Sequence, residues 1–410
     1  MRQTLWQPLS AGLVAAFVGY TSSFAVVLAG LRGAGATAGQ AASGLLVLCL
    51  TLGLGTMLLA WRYKTPVMLA WSTPGAAVLA AGGAVAGGWP AAVGAFLVTG
   101  VLIAATAAIP RLGDLAGSIP APISQAMLAG VVLPLCLAPV TATARHPAVL
   151  LPVLAVWLAV LAFAPRWANA AALGTALAVA VAALAADSPD AGAFTPHLSW
   201  TAPAFTWQAL VGIAVPLYLV TMASQNVPGT AVLSGFGYRT PWRPALAVTA
   251  AGTIAGAPAG GHAINLAAIS AALSASPDAG RDPARRWIAA FTTGCAYVPL
   301  AFASAALSAV VTAAPDGLVV AAAGIALFGI LGSSLASAAA EPRGREAAIV
   351  TFLVAASGVT AAGIGAAFWA LLAGLAVRLI IGLRDRRAAP APDTRDGAGE
   401  PGRTAGASRG

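Results

Sequence analysis

Pro258-Ala-Gly-Gly-His-Ala-Ile-Asn-Leu-Ala-Ala-Ile269 interrupts an otherwise apolar run with a proline, two glycines, a histidine and an asparagine. In hydrocarbon, unwound backbone persists only where it lines a cavity or is buried in protein, and the free amides that begin the next half-helix are ready anion ligands. A second stretch of the same character, Lys64-Thr-Pro-Val-Met-Leu-Ala-Trp-Ser-Thr-Pro-Gly-Ala-Ala-Val-Leu79, lies at the corresponding place in the first half. Matched breaks of this kind mark a transporter built as two repeats.

Composition sets the solvent in which these breaks are read. With 59% hydrophobic residues, 8% charged and a mean hydropathy of +0.87 over 410 residues, the apolar surface exceeds what a water-soluble fold can bury. The chain therefore reads as an all-α polytopic membrane protein, with about fourteen transmembrane segments of roughly 20 residues or fewer ending near Gly382. Seven fall on each side of a polar loop, and an odd number per block inverts the second block relative to the first. The expected organisation is a first inverted repeat over 1–187, an external loop over 188–203, a second inverted repeat over 204–383 and a disordered cytoplasmic tail over 384–410. Broken half-helices are expected in span three, Pro66 to Gly83, and span ten, Pro258 to Ser274.

Charge placement supports that organisation. Counted from a cytoplasmic N-terminus, the cations gather in alternate loops, and of the 21 Lys and Arg only Arg32 and Arg145 fall on the other side. The net charge of +9 thus reports topology, with both termini cytoplasmic and the lipid bilayer as partner, and speaks against nucleic acid. Met1 to Ser10 lead straight into a span without a small-residue cleavage site, so a retained first helix is expected. Cys49, Cys136 and Cys295 stand isolated in apolar spans and read as packing residues, implying no disulfide, metal or cofactor.

None of the 12 acidic residues falls at membrane depth, where retained carboxylates usually mark ion pathways. His262 is then the titratable candidate for proton coupling, because an imidazole with an unperturbed pKa of ~6.5 exchanges a proton near neutrality. Its competing reading is a neutral ring bonded between helices. Ser72, Thr73 and Gly75 are expected at the start of the first half-helix, with Gly260, Gly261 and His262 doing the same from the opposite direction. Two opposed N-termini hold one carboxylate without an intramembrane lysine or arginine. Gln225 and Asn226 near the end of span eight, together with Asn265, add amide donors and acceptors for a substrate. Packing of small residues and interhelical hydrogen bonding account for the same residues without a ligand.

Other function classes fare worse. A passive channel needs a continuous polar pore, and the polar residues here cluster at the two breaks. An enzyme needs paired carboxylates, a metal-ligand set or a nucleophile with its base, whereas His146, His197 and His262 lie in unlike surroundings.

Leu219-Val-Thr-Met-Ala-Ser-Gln-Asn-Val-Pro-Gly-Thr-Ala-Val-Leu233, the 258–269 stretch, Asp282-Pro-Ala-Arg-Arg-Trp287, Ala70-Trp-Ser-Thr-Pro-Gly-Ala76 and Leu331-Gly-Ser-Ser-Leu335 together resemble the benzoate/proton symporter family, BenE. The likeness runs from roughly Leu9 to Ile381 and leaves the tail outside. It implies an inner-membrane symporter importing benzoate or a similar aromatic carboxylate with a proton. It also implies the seven-plus-seven inverted-repeat fold shared with uracil-type nucleobase and sulfate-type anion transporters, whose gate spans often pair into a homodimer. Tyr20, Phe24, Trp71 and Tyr218 are then the candidate aromatic walls for the ring. Uracil-type relatives carry acidic residues in spans eight and ten where this chain has Gln225 and the Ile264-Asn265 pair, which moves attention to His262 or to the substrate's own proton. The alternative reading is a nucleobase or other small-anion transporter of the same fold.

Overall fold

Helix geometry in this chain follows from its prolines and glycines. The computed structural model describes residues 5–109, 111, 120–187 and 194–388. In the first half, α1 (Trp6–Thr21) and α2 (Phe24–Gly33) lead to α3 (Ala38–Tyr63), which opens on a capping box between Thr37 and Gln40. Lys64 at φ 50° ends α3, Thr65 before Pro66 is kept out of helical geometry, and the chain then runs non-helical to Ser72, the N-cap of the next helix. That segment holds strand β1 (Leu69–Trp71), followed by the ten-residue α4 (Thr73–Gly82) and by α5 (Gly88–Ala108). Next come α6 (Ala121–Arg145), α7 (Pro147–Phe163) and α8 (Ala168–Asp187).

The second half repeats the pattern of long helices around a break. Here α9 (Trp207–Gly235) and α10 (Trp242–Gly256) precede strand β2 (Ile264–Leu266) and a short α11 (Ile269–Ala275). The chain continues through α12 (Trp287–Phe302), α13 (Ser304–Thr312), α14 (Leu318–Ala339), α15 (Arg345–Ala356) and α16 (Ala366–Ala388). Eight helices among the described residues are long and apolar enough to cross a membrane, and nine if the stretch ending at Phe302 and the bent-off α13 count as one span. Helix α16 carries past the expected start of the tail at 384, since 384–388 continue its last turn. The remainder of the expected tail, 389–410, lies outside the described residues, as do 188–193 of the expected external loop.

Packing divides the helices into two groups. One holds α1–α5 with α9–α13, the other α6–α8 with α14–α16, and they meet mainly where α4 lies on α6 and α2 lies on α14. Within the first group α3 and α12 are drawn together by glycine. A Cβ on Gly294 would stand 2.6 Å from the Gly53 carbonyl oxygen, and one on Gly53 would stand 2.9 Å from that of Gly294. With little hydrophobic force between helices in lipid, such backbone-to-backbone contact supplies the packing.

Arginines finish several helices. Arg243 donates to the Ala107 and Ala108 carbonyls at the end of α5, Arg286 to Ala275 and Gly280 beyond α11, and Arg345 to Ala339 at the end of α14. Each places positive charge on the negative end of a helix and satisfies carbonyls that no later turn can reach. Part of the loop charge pattern is thus helix capping.

Candidate functional site

The two breaks meet. Strands β1 and β2 pair antiparallel in the register Leu69 to Leu266, Ala70 to Asn265 and Trp71 to Ile264, and the ladder continues where Ser72 N donates to Ala263 O at 2.9 Å and Ala267 N to Met68 O at 2.9 Å. A two-stranded ribbon inside a helical protein leaves outward-facing amides, each costing several kcal/mol if unpaired in hydrocarbon. Side chains of the flanking helices take them up. Thr56 Oγ1 of α3 accepts from Leu69 N at 3.0 Å, Thr253 Oγ1 of α10 accepts from Ile264 N at 3.1 Å, and Asn226 Oδ1 of α9 accepts from Leu266 N at 2.8 Å.

Ser72 sits at the junction of ribbon and half-helix. As N-cap of α4 its Oγ accepts from Gly75 N at 3.2 Å and shares a hydrogen bond of 2.8 Å with Thr221 Oγ1 of α9. Gly75 packs against Leu217, whose methyl occupies the place of a Cβ. With its amide turned to suit its neighbours, Asn265 accepts from Ser72 N at 3.2 Å and donates to Leu266 O at 2.8 Å. The structure therefore brings Ser72, Thr73, Gly75, Asn226 and Asn265 into one cluster between α4, α9 and the ribbon. Ser72, Asn226 and Asn265 are fully buried, while Gln225, adjacent on α9, is half-buried.

Gly260, Gly261 and His262 occupy a different place from the one expected. They precede β2, and the half-helix that follows starts only at Ile269, so its first amides belong to residues beyond the strand. The reason is local: Gly260 turns at φ 92° to end the short helix Ala257–Ala259, and the chain then runs extended into the ribbon. Gly260 lies in a tight crossing with α3, where a Cβ on Gly44 would stand 2.5 Å from its carbonyl oxygen. His262 is fully buried, its ring set edge-on to Phe96 of α5 at 6.4 Å between centroids. Among the described residues no side chain bonds either ring nitrogen. The ring faces the α5 side of the ribbon.

Three of the expected aromatic walls form a cluster. Tyr20 stacks on Phe24 at 5.5 Å and meets Trp71 edge-on at 5.5 Å, while Trp71 Nε1 donates to Ser23 Oγ at 2.8 Å. Tyr218 stands apart, its hydroxyl bonded to Thr106 Oγ1 at 2.6 Å. Tyr297 of α12 takes the fourth place, 6.1 Å from Trp71 and 6.4 Å from Tyr20. Its position in sequence carried no signal, because only the α1, α3 and α12 crossings bring it there.

Two π-helical segments in α9 were also unforeseen, Leu210–Ala214 and Met222–Asn226. A proline follows closely in each case, Pro216 and Pro228. Widening the helix just before a proline relieves the clash of its ring with the carbonyl one turn earlier, and such bulges concentrate at functional sites. The second segment carries Gln225 and Asn226, and Ser224 Oγ is buried there without a partner among the described residues. Proline spacing inside span eight was the signal available.

The ribbon of two broken helices lies within the first helical group, flanked by α3, α9 and α10, and the same fold occurs in known structures. The transmembrane domain of the cyanobacterial bicarbonate transporter BicA superposes with a TM-score of 0.56 at 15% identity, over 93% of this chain and 98% of that one. The murine anion transporter Slc26a9, in its inward-facing state, gives 0.61 at 12% identity, over 94% of this chain and 69% of its own. At such identities the likeness is one of fold. The chain belongs to the BenE family, described as benzoate membrane transport protein, which matches residues 4–380. Inner membrane protein YdcO of Escherichia coli K12 is 36% identical over 92% of this chain and 96% of its own length. The benzoate membrane transport protein of Acinetobacter baylyi is 28% identical over 90% and 94%.

Proposed function

We propose that this protein is a secondary active transporter of the inner membrane that imports benzoate or a similar aromatic carboxylate together with a proton. Family membership supports the substrate class, and the pairing of the two breaks carries the mechanism. In this reading the chain forms fourteen spans as a seven-plus-seven inverted repeat with both termini cytoplasmic. What supports the repeat is that Thr56 of α3 serves β1 as Thr253 of α10 serves β2, the same bond from the preceding helix in each half. Helices α1–α5 and α9–α13 form the moving core, α6–α8 and α14–α16 the gate.

The carboxylate binds at the Ser72, Thr73 and Gly75 end of α4, where helix amides and dipole favour an anion. Asn226, Asn265, Gly260 and Gly261 hold the ribbon in shape around it, and Gln225 offers an amide from α9. The described acidic residues lie at helix ends and in loops, Asp278, Asp316, Glu341 and Glu346 exposed and Asp282 half-buried. His262, buried with neither nitrogen bonded by a described side chain, is the group we assign to the coupled proton. Uptake of labelled benzoate into proteoliposomes, with and without an inward proton gradient, tests the reading. Accumulation that follows the gradient and is competed by other aromatic carboxylates is expected. Gradient-independent flux, or selectivity for uracil over benzoate, overturns it.

A further inference from the structure

A cavity of about 310 Å³ lies away from the ribbon, at the far end of α4, between that half-helix and α6, α15 and α16. Its floor is apolar and buried, formed by Val78, Val131, Ala355 and Ala367, while Gly82 and Gly358 at its mouth are exposed. The volume sits at the lower end of small-molecule sites, roughly 300 Å³, which suits one aromatic ring. Among the described residues no charged side chain lines it. Val78 stands six residues after Ser72, so the floor is about 9 Å along the helix axis from the proposed carboxylate site.

The walls belong to both helical groups, which touch at the mouth. The connection between α15 and α16 meets the core through glycine: a Cβ on Gly365 would stand 3.6 Å from Gly82 Cα, and one on Gly212 of α9 would stand 3.6 Å from Gly365 N. Trp369 Nε1 donates to the Ala361 and Ile364 carbonyls, holding this connection on α16. Glycine backbone and the apolar parts of Ile364 and Gln208 make this contact, so the groups part here without breaking a described side-chain hydrogen bond.

Resting on the transport reading above, we infer that this cavity is a second, transient subsite for the same aromatic acids. The ring enters the apolar floor and the carboxylate stays in water at the mouth, since burying an ionised carboxylate among apolar walls costs several kcal/mol. The ligand then moves along α4 to Ser72 as core and gate shift. The central site selects the anion, and this one selects the ring.

The test places a thiol in the wall by Ala356→Cys, with the exposed Cys295 removed by Cys295→Ser, and follows its labelling by a small cationic methanethiosulfonate. Benzoate is the protecting ligand. Protection of at least threefold is expected, and it persists when Asn265→Ala is added to disable the central site. Benzyl alcohol, which has the ring without the charge, protects as well. If protection vanishes with Asn265→Ala, it came from the central site and the inference fails. Absent protection in a protein that still accumulates benzoate also sinks it while leaving the transport reading intact. Loss of both uptake and protection removes both. As a second variant, Ala81→Trp fills the exposed rim from the core side; uptake at low benzoate should fall at least fivefold while equilibrium binding at the central site holds, and unchanged uptake contradicts the subsite.

Discussion

Asn226 shows how much one side chain carries in this fold. Its carboxamide oxygen is the acceptor for Leu266 N inside the ribbon, and its nitrogen donates to Met222 Sδ at 3.2 Å. Asn226→Ala leaves a buried amide unpaired, at a cost of about 1–3 kcal/mol. Thermal unfolding in detergent should show that loss together with weakened benzoate binding, whereas a variant of unchanged stability contradicts the assigned bond. His262 is testable in a different way. A His262→Gln variant should keep substrate binding, because the α4 amides remain, yet lose accumulation driven by a pH gradient. Full concentrative uptake by that variant would remove the imidazole from the coupling step and leave the proton to the substrate. The residue types at both positions were legible in the sequence as polar groups at membrane depth. Which side of the ribbon each faces was not, since that depends on where the extended segment starts.

Helix pairs obey the same economy at the next scale. Helices α3 and α12 touch through Gly53 and Gly294, with backbone against backbone and no space for a side chain. Gly294→Leu should therefore push them apart and destabilise the protein by about 1–3 kcal/mol or more, the range for overpacking in a close-packed core. Size-exclusion profiles and melting temperature read that directly; a normal melting temperature would mean the crossing is looser than described. The π-helical segments of α9 invite a second test. Pro228→Ala removes the ring that favours the wide turn, so the turn relaxes toward α-helix and Asn226 leaves register with Leu266. Substrate binding should weaken more than stability does, and equal binding would detach the bulge from the site.

For the whole molecule the decisive property is the boundary between the two helical groups. Ala25 on α2 faces Ala322 on α14 across a narrow gap that also meets Leu173 and Ala176 of α8. A short crosslink between Ala25→Cys and Ala322→Cys, made with Cys295→Ser, should stop transport, spare benzoate binding and be reversed by cleaving the linker. Transport that continues at full rate with the crosslink in place would rule out relative motion of the two groups as the carrier step. The BicA and Slc26a9 likenesses support a shared fold and leave the chemistry to the residues of this chain.

Sequence alone determined that the chain lives in a bilayer, that it breaks near Pro66 and Pro258, and that Ser72, Gly75 and Asn265 lie at those breaks, with Asn226 a polar group near the end of span eight. The physical reason is that lipid forbids unpaired backbone, so prolines, glycines and buried polar side chains have few places to go. The same rule explains why Thr56 and Thr253 escaped notice: an amide donor seeks any nearby hydroxyl, and many threonines lie on apolar helices. Only the tertiary structure decided that β1 pairs with β2, that Tyr297 replaces Tyr218 beside Trp71, and that His262 turns toward Phe96. Those outcomes rest on how helices far apart in sequence cross, and the crossings are set by glycine contacts whose partners no local pattern identifies.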